Sequence, residues 1–372
     1  MRTTCFPCII SRASKHIALS LRCLAIAILL PVGLMACDEQ SRLPALGVDI
    51  TQTSVSGLSS GAYMASQFHF VHSKTVIGAG IVAGGPYGCA ESIFSGLAPP
   101  WPIILAQNLN RAVNACTGTL MANIGIPNLD RLARHARDRA NDKAIDPLAD
   151  LKDDRVYLFS GKSDRTVAPS LVRMAAGLYK ASGVTAENIV LSTELDAGHA
   201  FITEDEGGAC DASETPFLND CDFDQAGEIL KHIYEALLPP AAESGEILLF
   251  SQAEFSNGSG HGLDEMGVVF IPNSCTRENG DEQACRVHVV FHGCRQGREK
   301  VGDAFVNGAG FNRWAGSNRL VVLYPQIRSS TVNPRGCWDW WGYTGREFLT
   351  RNSPQIMAVR AMLERLAQPR GN

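Results

Sequence analysis

The pentapeptide Gly57-Leu58-Ser59-Ser60-Gly61 lies between a strand-type run, Val48 to Val55, and a helix-type run, Ala62 to His72. A serine on so tight a strand-to-helix turn is lifted clear of the sheet, where its hydroxyl can attack a carbonyl carbon. The chain holds 35 glycines in 372 residues, so the pattern by itself arises readily by chance. Its context gives it weight. The alternative is an ordinary turn serine, and the decision between the two rests on whether the chain supplies the partners a nucleophile needs.

The rest of the chain alternates two periods. Strand-like runs occupy Thr75 to Val82, Arg155 to Phe159, Asn188 to Leu195, Glu246 to Ser251, Gly267 to Ile271, Arg286 to Phe291 and Arg319 to Tyr324. Helical patterns fall between and after them, at Leu129 to Ala140, Ser170 to Ser182, Asp224 to Leu238 and Gln355 to Ala367. Such alternation predicts an α/β fold, a mainly parallel sheet covered by helices on both faces. No internal repeat or low-complexity tract interrupts it, and only Pro239 to Gly245 has the composition of a linker.

The first residues read as an export signal. Arg2, Arg12, Lys15 and Arg22 precede an apolar run, Cys23 to Leu34, which is too short to span a membrane. Leu34-Met35-Ala36-Cys37 then resembles a lipobox, in which the cysteine is lipidated and becomes the new N-terminus. The expected organisation is a signal over 1–37, a tether over 38–47 and a single catalytic domain over 48–372, exported and either held in the cell envelope through Cys37 or released. Ordinary cleavage nearby would give a soluble protein instead. Roughly 330 residues beyond the signal, in a chain of 45% hydrophobic content, can bury a full core.

Export changes the meaning of the cysteines. Setting aside Cys5, Cys8, Cys23 and Cys37 leaves Cys89, Cys116, Cys210, Cys221, Cys275, Cys285, Cys294 and Cys337, an even set that reads as a disulfide framework. Sequential pairing is the simplest of the connectivities, because each pair closes a local loop. Zinc is the rival, but no C-x-x-C or paired-histidine spacing occurs among these positions, so no metal is expected. The net charge of -5 leaves no electrostatic footprint for nucleic acid and disfavours a polyanionic substrate.

A nucleophilic serine needs a base and a carboxylate to orient it, and in α/β-hydrolases these follow in the order Ser, Asp, His. Asp164 lies just beyond the run ending at Phe159, in Ser160-Gly161-Lys162-Ser163-Asp164. His199 lies just beyond the next run, in Asp196-Ala197-Gly198-His199, where Gly198 permits close approach to the active face. Both therefore sit on loops at strand carboxyl ends. A turn-capping aspartate and a loop histidine bonded to nearby backbone are the plainer alternatives. His69, His72, His135 and His232 fall on helical patterns, His261 in a Gly-rich loop and His288 within a strand.

A further strand runs into Phe291-His292-Gly293-Cys294. Such an ending supplies one backbone amide of an oxyanion hole, here Cys294, while the residue after the nucleophile, here Ser60, supplies the other. His292 then reads as a brace. In the usual α/β-hydrolase this strand precedes the nucleophile, whereas here it follows the histidine by almost a hundred residues. Joining the terminal helix to Val48 would restore the usual order, so the chain reads as a circular permutation.

At these residues the chain resembles the poly(3-hydroxybutyrate) depolymerases whose α/β-hydrolase domain is circularly permuted. The resemblance runs from about Val48 to Leu366 and is carried by Gly57-Leu58-Ser59-Ser60-Gly61-Ala62-Tyr63-Met64-Ala65, Ala197-Gly198-His199-Ala200-Phe201, Asn219-Asp220-Cys221-Asp222-Phe223-Asp224, Phe291-His292-Gly293-Cys294 and Cys337-Trp338-Asp339-Trp340-Trp341-Gly342-Tyr343. It implies Ser59 as nucleophile, Asp164 and His199 as the other triad members, and the Ser60 and Cys294 amides as the oxyanion hole. It also implies a polyester or oligoester substrate contacted by Trp338, Trp340, Trp341 and Tyr343, and no cofactor. Any one of these tryptophans can equally belong to the core. Many secreted depolymerases carry a linker and a polymer-binding domain; no such segment follows Ala367 here, so weak action on crystalline polyester is expected. A feruloyl, acetylxylan or other short-acyl esterase is the enzymatic alternative, because specificity lies in loops. An inactive envelope binding lipoprotein is the non-enzymatic one. The sequence leaves oligomeric state open.

Overall fold

A computed structural model describes residues 42–94, 97–118, 128–240, 244–256, 261–276 and 284–370, all within one unit spanning Gln40–Asn372. The expected export signal and Cys37 lie outside the described residues.

The described strands are β1 (Thr53–Leu58), β2 (Val76–Val82), β3 (Arg155–Phe159), β4 (Ile189–Ser192), β5 (Phe201–Thr203), β6 (Leu218–Asp220), β7 (Gly245–Ser251), β8 (Met266–Pro272), β9 (Arg286–Phe291) and β10 (Leu320–Tyr324). The helices are α1 (Ser60–Val71), α2 (Trp101–Val113), α3 (Leu129–Asn141), α4 (Pro169–Ala181), α5 (Gln225–Tyr234), α6 (Arg298–Val301), α7 (Ala304–Gly308), α8 (Phe311–Ser317) and α9 (Pro354–Ala367). β1 starts later than its composition suggests, because Ile50–Gln52 forms a short 3-10 turn. Sequence periodicity also missed α2 and the short helices α6 to α8. These are too brief, or in α2 too apolar on the solvent side, to show a clean amphipathic period.

Eight strands form one sheet in the order β4-β3-β2-β1-β9-β10-β8-β7, with β5 and β6 paired separately. The run from β4 to β10 is parallel, while β8 is antiparallel to both β10 and β7. Strands buried on both faces need apolar residues at every position, and β10 (Leu-Val-Val-Leu-Tyr) shows this. Its Val321 and Leu323 enter the core layer shared with α1 and α9, and Leu320, Val322 and Tyr324 enter the layer shared with α5 and α8.

The permutation is visible as hydrogen bonding between the two ends of the domain. The Leu46 and Val48 amides donate to the Leu366 carbonyl at 3.0 and 3.3 Å, and the Gly47 amide donates to that of Gln368 at 2.9 Å. This corrects the expected tether over 38–47 at its inner end: from Leu43, which is fully buried, the chain is docked on α9 rather than free.

All four expected disulfides form in sequential order, Cys89–Cys116, Cys210–Cys221, Cys275–Cys285 and Cys294–Cys337. Bridges of this kind typically contribute about 2–4 kcal/mol each. A thermal melt with and without reductant should therefore show a marked drop in Tm on reduction. Eight alkylatable thiols in the unreduced native protein would refute the framework.

Candidate active site

Ser59 joins β1 to α1 with φ 57° and ψ -118°. A non-glycine residue in such a region is held there at a cost of order 1–3 kcal/mol, and the surroundings must enforce it. They do so from both sides. The Ser59 amide donates to the Val82 carbonyl at 2.9 Å, and its carbonyl accepts from the Tyr63 amide at 3.0 Å. The Ser59 side chain makes no cap hydrogen bond and is half-buried, so the hydroxyl remains available at the turn.

The two outer glycines are steric necessities. A Cβ on Gly57 would overlap the Gly61 carbonyl, and one on Gly61 would overlap the Phe291 oxygen and lie 2.5 Å from that of His292. Strand, helix and the end of β9 thus meet with no room for a methyl group. Gly61→Ala should cost about 3 kcal/mol of stability and most of the activity, since only backbone movement relieves the overlap. A variant with wild-type Tm and turnover would show that the turn is looser than this.

Asp164 and His199 come together from the loops after β3 and β4. Asp164 Oδ1 accepts from the Thr166 and Val167 amides at 2.7 and 2.9 Å, and Oδ2 lies 2.8 Å from His199 Nδ1. With the carboxylate accepting, Nδ1–H is the donor, which leaves Nε2 as the free basic nitrogen. Both residues are buried. The histidine loop is clamped by the segment closed by Cys210–Cys221: Gly198 N donates to Cys210 O and His199 N to Ser213 Oγ, each at 2.8 Å. A side chain at Gly198 would overlap the Ala212 carbonyl, which is why glycine stands there.

The turn after β9 is built so that one amide stays unused. Gly293 N donates to Gln296 Oε1 at 2.7 Å, Arg295 N to Arg335 O at 2.7 Å and Gln296 N to Gly293 O at 3.2 Å. Among the described residues the Cys294 amide has no protein acceptor, and neither has that of Ser60, the first residue of α1. Register pairing of Gly57 with Phe291 brings these two amides to the ends of adjacent strands. Paired, unengaged N–H groups beside a serine can stabilise the oxyanion of a tetrahedral intermediate.

His292 is a brace. Its Nδ1–H donates to the Gly293 carbonyl at 2.7 Å and its Nε2 accepts from the Ile327 amide at 3.1 Å. Burial pushes its pKa down to about 4, and burial likewise pushes His288 to about 3 and His72 to about 4. Protonation of these groups is thus favoured only in the unfolded chain between roughly pH 6.5 and 4, where the unfolded state binds more protons. Their burial in the neutral form contributes full stability above pH ~6.5, and that contribution is lost as pH falls through the window. Denaturant melts at pH 7 and pH 5 should show the protein weaker at pH 5; equal stability would contradict the burial of these rings.

The aromatic loop departs from expectation. Trp338 is 0% exposed, packed edge-to-face on Phe291 at 4.9 Å, so it is core and not a substrate contact. The Tyr343 hydroxyl donates to Cys337 O at 2.9 Å and accepts from Asn333 Nδ2 and Gln355 Nε2, which turns the ring tip inward while the ring stays half-buried. Trp341, 6% exposed, packs against Trp340 and Tyr343. Trp340, at 9% the most exposed of the three tryptophans, stacks on Tyr63 of α1 at 4.2 Å.

Sequence reading missed the residue that shapes this loop. Buried Asp339 accepts on Oδ1 from the Trp341, Gly342 and Tyr343 amides and on Oδ2 from the Thr344 amide and hydroxyl. Burial raises its pKa and these donors pull the other way, with burial the larger effect. The loop is fastened beside the elbow by Cys294–Cys337 and by the Trp338 amide donating to Ser60 Oγ at 3.3 Å.

Sheet order, domain ends and strand-end loops together define a circularly permuted α/β-hydrolase fold. No protein-family model matches the chain. A poly(3-hydroxybutyrate) depolymerase of Delftia acidovorans is 39% identical over 338 residues, covering 88% of this chain, and this chain spans 62% of that relative's length. A polyhydroxybutyrate depolymerase of Talaromyces funiculosus is 32% identical over 335 residues, covering 86% of this chain and 88% of the relative. Two solved structures share the fold: the PHB depolymerase of Penicillium funiculosum (TM-score 0.76) and a serine-to-alanine PHB depolymerase complexed with an R3HB trimer (TM-score 0.75). Each is 28% identical to this chain, covering 88% of it and 99% of the other. The chain belongs to the polyhydroxybutyrate depolymerase family.

Proposed function

We propose that this protein is an exported serine esterase that hydrolyses poly(3-hydroxybutyrate) or its oligomers through an acyl-enzyme. The observation that carries the reading is the strained Ser59 turn at the same carboxyl end of the parallel strands as the loops that carry the buried His199–Asp164 pair. His199 Nε2 takes the Ser59 proton as the oxygen attacks the ester carbonyl, and the Ser60 and Cys294 amides receive the oxyanion. Collapse expels the hydroxyl end of the chain, protonated by His199. Water, deprotonated by the same nitrogen, then releases the acid and restores Ser59. Asp164 holds the ring and stabilises its cationic form.

The relatives' names support the substrate class, and the edges of Trp340 and the half-buried Tyr343 offer aromatic surface for methyl-bearing ester units. Attachment to the envelope through a lipid on Cys37 belongs to the same proposal. Cys37→Ser should move the protein out of the membrane fraction, whereas a native N-terminus found elsewhere and unlipidated would end that part.

The deciding experiment is product analysis on amorphous poly(3-hydroxybutyrate), with p-nitrophenyl butyrate and methyl ferulate beside it. Hydroxybutyrate monomer and short oligomers are expected. A far higher kcat/KM on feruloyl or acetylxylan substrates would overturn the substrate class, and failure of a fluorophosphonate to label Ser59 would point to a binding protein.

A further inference from the structure

We infer that Gln296 is a positioning residue that couples the oxyanion donor at Cys294 to the base loop at His199, through the segment closed by Cys210–Cys221. The inference rests on the nucleophile and oxyanion assignments proposed above.

Gln296 is buried, and both ends of its amide are engaged. Oε1 accepts from Gly293 N at 2.7 Å, while Nε2 donates to the carbonyls of Pro216 and Phe217 at 3.2 and 2.9 Å. The first bond holds the His292–Gly293 peptide, and the Gln296 backbone amide, donating to the Gly293 carbonyl at 3.2 Å, holds the next peptide plane, the one that carries the Cys294 N–H. The other two tie that turn to residues 216 and 217. Phe217 O also accepts from Phe201 N at 2.9 Å, two residues beyond His199, and Ser213 Oγ accepts from His199 N at 2.8 Å. One short, cross-linked segment therefore touches the oxyanion turn through Gln296 and the base loop through Ser213 and Phe217.

The chemistry needs such a link. Proton transfer and oxyanion stabilisation occur in the same transition state, and oxyanion donors act only when held within hydrogen-bond reach of where the charge develops. The two groups here arise from opposite sides of the nucleophile strand, β9 on one and the loop beyond β4 on the other, and β4 and β9 are not neighbours in the sheet. Backbone pairing within the sheet alone leaves their separation to two independent loops. Gln296 removes that freedom. A glutamate at this position would still accept from Gly293 but could not donate to the two carbonyls; leucine would do neither.

The test is kinetic. Gln296→Ala and Gln296→Glu should each lower kcat on p-nitrophenyl butyrate by about 10- to 100-fold with KM changed less than about twofold, because the loss falls on the transition state. Affinity for butylboronic acid should fall by a similar factor; boron bonds the serine oxygen as the proton passes to His199, and a boron-bound oxygen then occupies the oxyanion position. Ser213→Ala, at an exposed site, should lower kcat modestly, and its effect should not multiply with that of Gln296→Ala, since both cut the same link. A lower Tm with unchanged kcat and boronate affinity, or strictly multiplicative effects, would overturn the coupling. If Gln296→Ala does not fold, Gln296→Glu carries the same comparison. Should wild-type protein ignore the boronate, or Ser59→Ala retain activity, it is the underlying site assignment that fails and not the coupling.

Discussion

Replacing Ser59 with alanine is expected to lower ester turnover by about 10⁴-fold or more while leaving the protein folded. The acyl-enzyme needs an oxygen at this position, and nothing else at the turn supplies one to the same face. Ser60 is adjacent, but its hydroxyl accepts from the Trp338 amide and is buried in the first turn of α1. The Ser59 hydroxyl caps no helix, so its removal strips no hydrogen bond from the elbow. Alanine can occupy the same positive-φ turn at a strain no greater than serine's. Turnover of p-nitrophenyl butyrate and a thermal melt on the same sample provide the check. Retained activity in a folded variant would remove Ser59 from the mechanism.

Asp339→Ala is expected to be the most damaging change outside the proposed triad. It would leave four backbone amides and the Thr344 hydroxyl without their acceptor beneath a loop that carries Trp340 and Trp341. Each buried donor left unsatisfied costs about 1–3 kcal/mol, and because they share one acceptor the loss is less than their sum. A drop of roughly 4 kcal/mol, a Tm lower by on the order of 10 °C, is the expected scale. Asn should rescue only part of it, since its amide offers one acceptor oxygen where the carboxylate offers two. If the aromatic loop lines the proposed cleft, oligomer cleavage should suffer more than p-nitrophenyl acetate cleavage, because only the longer substrate reaches beyond the scissile ester. A near-native Tm in Asp339→Ala would mean that the loop is held chiefly by its disulfide.

Local signals were legible where chemistry is written in adjacent residues. Gly57 and Gly61 mark a turn at which strand and helix collide with β9, and Asp164 and His199 lie where their positions in the chain put them, one loop after each of two successive strands, and hydrogen-bond to each other. Sequential cysteine pairing was readable too, because short loop closure costs the least entropy and each pair already lay close along the chain. Trp338 departs from the expected cleft position, since tryptophan serves core and cleft equally well and composition does not say which way a ring turns.

What the sequence by itself determined is therefore the alternation of strands and helices, the permuted order of the elements, the disulfide framework and the identity of the residues at the strand-end loops. Tertiary structure alone decided the rest. It spent the Gly293, Arg295 and Gln296 amides on internal partners and left that of Cys294 unengaged, centred the aromatic loop on Asp339, and joined Gln296 to a segment some eighty residues away. The reason is physical: a strand or helix is specified by the period of its own side chains, whereas the direction of one amide or one indole is set by contacts between residues far apart in the chain, which no local pattern encodes.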